Sequence, residues 1–171
     1  SKHRWSSLQQ KGAERKGMNI RQVTDGKEAY IELLREGDAD ESRIRRVLEE
    51  GDLFLLEEHG KIRTICAAIF SEEKRCEIKN IVTHEKDRGK GYGRYMINYI
   101  CEHYCGQYEW VYMKKERCEG IMEFCEKCGF VQDDEKYLKK ELMSEIDIKR
   151  VINLAMEAGR LLLKNGGEIF R

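Results

Sequence analysis

The run Asp87-Arg88-Gly89-Lys90-Gly91-Tyr92-Gly93-Arg94 constrains this chain more than any other stretch. It follows an apolar run, Ile78 to Thr83, that reads as a strand. It opens a segment, Tyr92 to Tyr104, whose apolar residues recur at helical spacing. A glycine-rich turn between strand and helix aims several backbone N–H groups at one point. The helix N-terminus adds roughly half a positive charge there. Such a corner binds phosphate without a dedicated side chain, and Arg88, Lys90 and Arg94 add full charges. Two common phosphate fingerprints fail. G-x-G-x-x-G begun at Gly89 ends on Arg94, and no window supplies G-x-x-x-x-G-K-[ST]. The pattern that fits is Arg-x-x-Gly-x-Gly, met by Arg88, Gly91 and Gly93. The competing reading is a surface turn with basic flanks.

Composition narrows the field. The 171 residues suit one domain with short extensions. Net charge is zero, which argues against nucleic acid as a partner. The charged fraction of 37% is interspersed in sign, as on a solvated surface. No apolar run reaches the length of a membrane span. The basic N-terminus lacks the apolar stretch of a secretory signal. Seven cysteines without an export signal point to free thiols and a cytoplasmic protein. Cys125-Glu126-Lys127-Cys128, with Cys101 and Cys105, raises the question of zinc. The spacing fits no common finger, and each cysteine falls in an apolar pattern, so no metal is expected. A redox C-x-x-C should open a helix, whereas this one closes one at Gly129.

In chain order, residues 1–17 read as a basic, disordered arm or a non-native leader. Asn19 to Val23 reads as a strand. A helix capped by Thr24 or Asp25 runs to Arg35, and a second covers Ser42 to Glu50. Strands follow at Leu53 to Glu57, Ile62 to Phe70 and Cys76 to Thr83. After the glycine loop and its helix come a strand at Trp110 to Met113, a helix at Cys118 to Lys127 and a final pair of short strands within Phe130 to Glu141. A capping-box variant at Ser144-Glu145-Ile146-Asp147 opens a last helix. Its stripe of Ile148, Val151, Ile152, Ala155, Ala158 and Leu162 suits docking on the core or on a second copy of the chain, a homodimer. Asn165-Gly166-Gly167 is expected to stop it.

From Met18 to Leu142 this order resembles the GCN5-related N-acetyltransferase (GNAT) family. The glycine loop resembles the family's acetyl-CoA pyrophosphate loop. Phe124-Cys125-Glu126-Lys127-Cys128-Gly129-Phe130 resembles the Phe-Tyr-Glu-Lys-x-Gly-Phe close of the family's fourth helix. The resemblance implies an α/β (α+β) acyl-CoA N-acyltransferase fold, a mixed central sheet with splayed central strands flanked by helices. It also divides the chain into an arm (1–17), the acetyltransferase domain (18–142) and a helical extension (143–171).

The implied chemistry assigns roles residue by residue. Acetyl-CoA phosphates take Arg88, Gly89, Lys90, Gly91, Tyr92, Gly93 and Arg94. The pantetheine amides take the strand edge Ile81, Val82 and Thr83, where that strand splays from Trp110 to Met113. The Ile81 N–H serves the thioester oxygen, where negative charge develops. Glu77, eleven residues before Arg88, is the candidate base, as in the histone-acetyltransferase branch. The other reading of Glu77 is a strand carboxylate paired with Lys79 or Arg75, and His84 is a second base candidate. Two positions depart from the family. Cys125 stands where a tyrosine often protonates the leaving thiolate, and Arg117 stands for an asparagine that grips the cofactor.

The implied activity is transfer of acetyl from acetyl-CoA to a primary amine of a small molecule or peptide by direct attack in a ternary complex. A non-catalytic acyl-CoA-binding module is the alternative, supported by the missing tyrosine. The acceptor site should involve Glu36 to Glu41 and Asp133 to Glu135. Both segments are acidic, which tilts the expectation toward a cationic acceptor.

Overall fold

A computed structural model describes residues 17–169. The arm expected over 1–17 lies outside the described residues except for Gly17. Seven strands form one sheet in the order β1-β2-β3-β4-β5-β7-β6. They are β1 (Met18–Val23), β2 (Asp52–Glu58), β3 (Lys61–Phe70), β4 (Arg75–Thr83), β5 (Trp110–Lys114), β6 (Val131–Gln132) and β7 (Tyr137–Glu141). Every pairing is antiparallel except β4 with β5. That parallel pair requires a crossover, supplied by helix α3 (Tyr92–Tyr104). The remaining helices are α1 (Ile31–Leu34), α2 (Glu41–Glu50), α4 (Met122–Lys127) and α5 (Glu145–Ile169).

The continuous apolar runs of β2 and β3 follow from burial on both faces. Leu53 and Leu55 join a core beneath α1 and α2, with Leu33, Ile44 and Val47. Phe54 and Leu56, alternating with them, join a core beneath α3 and α4, with Met96, Ile97 and Ile100. Each such side chain, fully buried, contributes about 1.5–3 kcal/mol relative to exposure.

Two bulges break the alternation. Between β2 and β3 the register steps from Leu56↔Thr64 to Glu57↔Ile62, leaving Arg63 as the extra residue. Between β3 and β4 it steps from Ala67↔Asn80 to Ala68↔Ile78, leaving Lys79. The second bulge exchanges the faces of β4. Before it, Cys76 and Ile78 face α3; beyond it, Val82 faces the α1–α2 side and Ile81 packs on the α3 side.

Three helix expectations need correction. The segment from Thr24 to Arg35 is a 3₁₀ turn, Lys27–Tyr30, followed by the short α1, and its N-cap Gly26 has φ +68°. The helix expected from Cys118 begins only at Met122, because Cys118–Ile121 forms tight turns through Gly120 at φ +81°. The last helix passes through Asn165-Gly166-Gly167 to Ile169, so glycine's modest cost per residue did not stop it. Its start touches the domain, where the Gly106 N–H donates to the Met143 carbonyl at 2.9 Å. Further on, Leu154, Leu162 and Leu163 are exposed. Among the described residues no helix is long and apolar enough to cross a membrane.

Gly51 closes α2 against β3, where an added Cβ would stand 2.0 Å from the Ala68 carbonyl oxygen. That neighbour is backbone in mid-strand and cannot swing away. Gly51→Ala should therefore lower unfolding free energy by about 1–3 kcal/mol. Urea titration with an unchanged m-value checks this; an unaltered midpoint would contradict the packing.

Candidate active site

β4 and β5 are paired only at Arg75↔Trp110, Cys76↔Val111 and Glu77↔Tyr112. Beyond Glu77 and Tyr112 the two strands part, although β4 continues to Thr83 and β5 to Lys114. The backbone groups exposed by this opening follow from the ladder on the other side of β4. Antiparallel partners alternate between bonded and non-bonded pairs. The His84 N–H donates to the Arg63 carbonyl at 2.9 Å, which makes Val82 and Ile65 the next bonded pair in that register. Ile81 and Thr83 therefore turn their N–H and C=O groups away from β3, toward the opening. Val82 turns its own toward β3, and its side chain is buried. Of the three edge residues named from the sequence, Ile81 and Thr83 turn backbone groups to the opening, where the Thr83 carbonyl accepts Arg88 Nε, and Val82 does not.

At the end of β4 lies the glycine loop. Gly89 and Gly91 have φ of +77° and +88°, and a Cβ on either would meet open space. Their requirement is thus conformational, and the cradle above them is clear. Gly91 is the N-cap of α3, with no side chain capping the helix. The first-turn N–H groups are left for an outside acceptor. Gly93 is needed for closeness: its Cβ would stand 3.2 Å from Phe124 of α4.

The loop is pinned from below by Asp87. Its buried carboxylate accepts Arg63 Nη1 at 3.0 and 3.2 Å and Lys90 Nζ at 3.4 Å. Arg63 also lies over the Tyr92 ring, whose hydroxyl donates to Glu58. Arg88 Nε donates to the Thr83 carbonyl at 3.3 Å, and Arg94 is exposed. His84 caps the 3₁₀ turn Glu85–Asp87, its Nδ1 accepting the Lys86 N–H at 3.2 Å.

Glu77 lies where the strands part, on the face opposite Cys76 and Ile78. Its Oε1 is buried and makes no hydrogen bond within the described residues; Lys79 Nζ stands 3.2 Å away as an ion pair only. A cavity of about 210 Å³ opens beside it, lined by Ile69, Phe70, Arg75, Tyr112 and Tyr137 among others. Sequence reasoning did not single out the two tyrosines. The available signal was their spacing: Tyr112 alternates with the buried Val111 and Met113.

Arg117 is committed elsewhere. Its guanidinium donates to Asp38 Oδ2 at 2.8 Å and to the Gly37 carbonyl at 3.0 Å. Arg43 holds the same carboxylate with two bonds of 2.6 Å. This network ties the α1–α2 loop to the β5–α4 connection. Cys125 is fully buried in α4. A hydrogen bond shared with Cys118, together with burial, pushes its thiol up. The expected acidic surface is largely neutralised: Glu41 pairs with Arg35 and Arg45, and Asp133 with Lys139 at 2.9 Å. The seven cysteines are free thiols, and no group of three metal-ligating side chains occurs among the described residues.

A strand-glycine loop-helix corner beside two diverging parallel strands is an acyl-CoA architecture. The family model for the acetyltransferase (GNAT) domain matches residues 49–132, and the chain carries a domain of this family. A GNAT family acetyltransferase from Elizabethkingia anophelis, solved with acetyl-CoA bound, shares the fold at TM-score 0.65 and 19% identity, over 75% of this chain and 100% of that one. An IAA acetyltransferase from Bacillus cereus gives 0.62 and 18%, over 74% and 100%. A spermidine N-acetyltransferase from Vibrio cholerae, in complex with CoA and spermine, gives 0.55 and 15%, over 72% and 95%. No curated protein matches the sequence.

The Asp38 network has a pH signature. Hydrogen bonds from Arg43, aided by Arg117 and opposed by burial, hold its carboxyl far below the usual value near 3.8. A depressed folded-state pKa stabilises the protein in full above the unfolded value and loses that contribution as pH falls through the folded one. The stability gap between wild type and Asp38→Asn should be constant from pH 7 to 5 and narrow below about pH 4. Urea unfolding at several pH values measures it; a gap that persists unchanged to pH 2.5 would contradict the assignment.

Proposed function

We propose that the chain is an acetyl-CoA-dependent N-acetyltransferase acting on a primary amine of a small molecule or peptide by direct attack in a ternary complex. One observation carries the reading. The backbone groups that Ile81 and Thr83 turn into the gap adjoin an anion-binding helix start at one end and a carboxylate in a cavity at the other. The fit to acetyl-CoA is supported by the open space above Gly89 and Gly91 and the uncapped start of α3. The pyrophosphate would take the N–H groups of Gly89 to Gly93, with Arg88 and Arg94 supplying charge. Lys90 would exchange its Asp87 contact for phosphate. The pantetheine amides would add as a strand along Ile81 and Thr83.

In this reading Glu77 accepts a proton from the incoming ammonium, since an amine of pKa near ~10 is mostly protonated at neutral pH. The freed nitrogen attacks the thioester carbonyl carbon, and the Ile81 N–H receives the charge gathering on its oxygen. The C–N bond forms, the C–S bond breaks, CoA leaves as a thiolate, and the nitrogen's second proton passes to that thiolate or to solvent, leaving the neutral amide. A thiol of pKa about 8.5 departs without obligatory protonation. Cys125 is therefore assigned to packing and Arg117 to the Asp38 network. The free thiols are in keeping with a reducing, cytoplasmic setting.

Acetyl-CoA should raise the melting temperature, and Gly91→Glu should abolish the shift by placing a negative charge in the phosphate cradle. Absence of a wild-type shift with both acetyl-CoA and CoA would defeat the reading.

Glu77→Gln keeps size and removes the base. It should cost 10²–10⁴-fold, mainly in kcat, with the loss shrinking at high pH as free amine accumulates. An unchanged kcat across pH would remove Glu77 from the chemistry. Binding of acetyl-CoA without turnover of any amine would point instead to a non-catalytic acyl-CoA-binding module.

A further inference from the structure

The acceptor itself can be narrowed, on the reading that this site acetylates an amine. We infer that the cavity beside Glu77 takes a primary monoamine carried on an aromatic or compact apolar body, and discriminates against polyamines and cationic peptides. Position comes first. Glu77 and Tyr112 are the last paired residues before β4 and β5 separate, and both line the cavity. A molecule held there has its reacting end at the opening through which the thioester arrives.

Size comes next. About 210 Å³ is below the 300–1,000 Å³ typical of pockets for drug-sized ligands, so the part of the acceptor seated here is compact. The walls are mainly apolar and aromatic. Tyr112 is buried, Tyr137 is half-buried, their ring centroids are 6.0 Å apart, and Ile69 and Phe70 add hydrocarbon. The Tyr112 ring carries the Arg75 guanidinium 4.8 Å from its centroid. Tyr137, the less buried ring, is the surface left for an acceptor body.

Charge decides how many ammonium groups fit. Glu77 Oε1, buried, without a hydrogen bond and held only by the Lys79 ion pair at 3.2 Å, can accept one. Glu73, the other carboxylate of the lining, pairs with Arg75 at 3.2 Å. Asp133, whose N–H bonds the Tyr137 carbonyl, pairs with Lys139. Lys79 and Arg75 flank Glu77 on its own strand. A second ammonium on a polyamine would meet Lys79 and Arg75, whose partners Glu77 and Glu73 are already engaged. Of the acidic loops, which by sequence point to a cationic acceptor, Asp38, Glu41 and Asp133 spend their charge on neighbouring arginines and lysines.

The test is steady-state kcat/KM with phenethylamine, spermidine and a lysine tripeptide, at fixed ionic strength. Phenethylamine is expected to exceed the other two by about tenfold or more. Tyr137→Phe should keep the wild-type order. Tyr137→Ala should raise KM for phenethylamine about tenfold with little change in kcat, while spermidine is unaffected and the acetyl-CoA thermal shift shows an intact fold. Lys79→Gln should narrow the gap between phenethylamine and spermidine. Spermidine or peptide turned over as well as phenethylamine, or Tyr137→Ala weakening all three equally, would overturn the inference and leave amine acetylation standing. Acetyl-CoA binding with no turnover of any amine would instead overturn the transferase reading, and this one with it.

Discussion

The separation of β4 from β5 after Glu77 and Tyr112 is the constraint on which the site depends. A sheet interior normally satisfies every backbone N–H and C=O. Here the chain maintains a parallel pair for three residues and then abandons it, leaving the Ile81 and Thr83 groups directed into the gap. The sheet is held on both sides of this opening. β3 remains fully paired to β4, and β7 pairs along the whole of β5. The gap is therefore a rigid slot and not a frayed edge.

Two bulges orient what surrounds the slot. Lys79 lets Glu77 face the α1–α2 side while Ile81, four residues on, packs toward α3. Without that extra residue both side chains would lie on one face. Arg63, the bulged residue of β3, reaches the Asp87 carboxylate and ties the glycine loop to the sheet. Bulges are common beside functional sites because they re-aim side chains, and each of these places a cation.

Much of the fold was legible from local pattern. The helix from Tyr92 to Tyr104 follows its apolar periodicity and its glycine start. The strands of the meander are continuous apolar runs, as burial on both faces demands. The misreadings share a cause. Cys118 to Ile121 has helical apolar spacing, but Gly120 adopts a positive φ and Cys118 is drawn into the core. Asn165-Gly166-Gly167 carries stop signals that helix propagation overrides. Arg117 and Cys125 are site candidates through resemblance to a motif; in three dimensions Arg117 bonds Asp38 and Cys125 is buried beside Cys118.

By itself the sequence determined the strand-glycine loop-helix corner, because glycine spacing and flanking charge act over a few consecutive residues. It also determined the order of elements, and the family resemblance made Glu77 a candidate through its offset from Arg88. Only the tertiary structure decided where β4 and β5 part, which backbone groups face the opening, and which cations each carboxylate meets. Those outcomes depend on contacts between residues far apart in the chain: Glu77 with Tyr112 and Tyr137, Asp38 with Arg117, and Asp87 with Arg63. No local window encodes whether a charge has already met its partner.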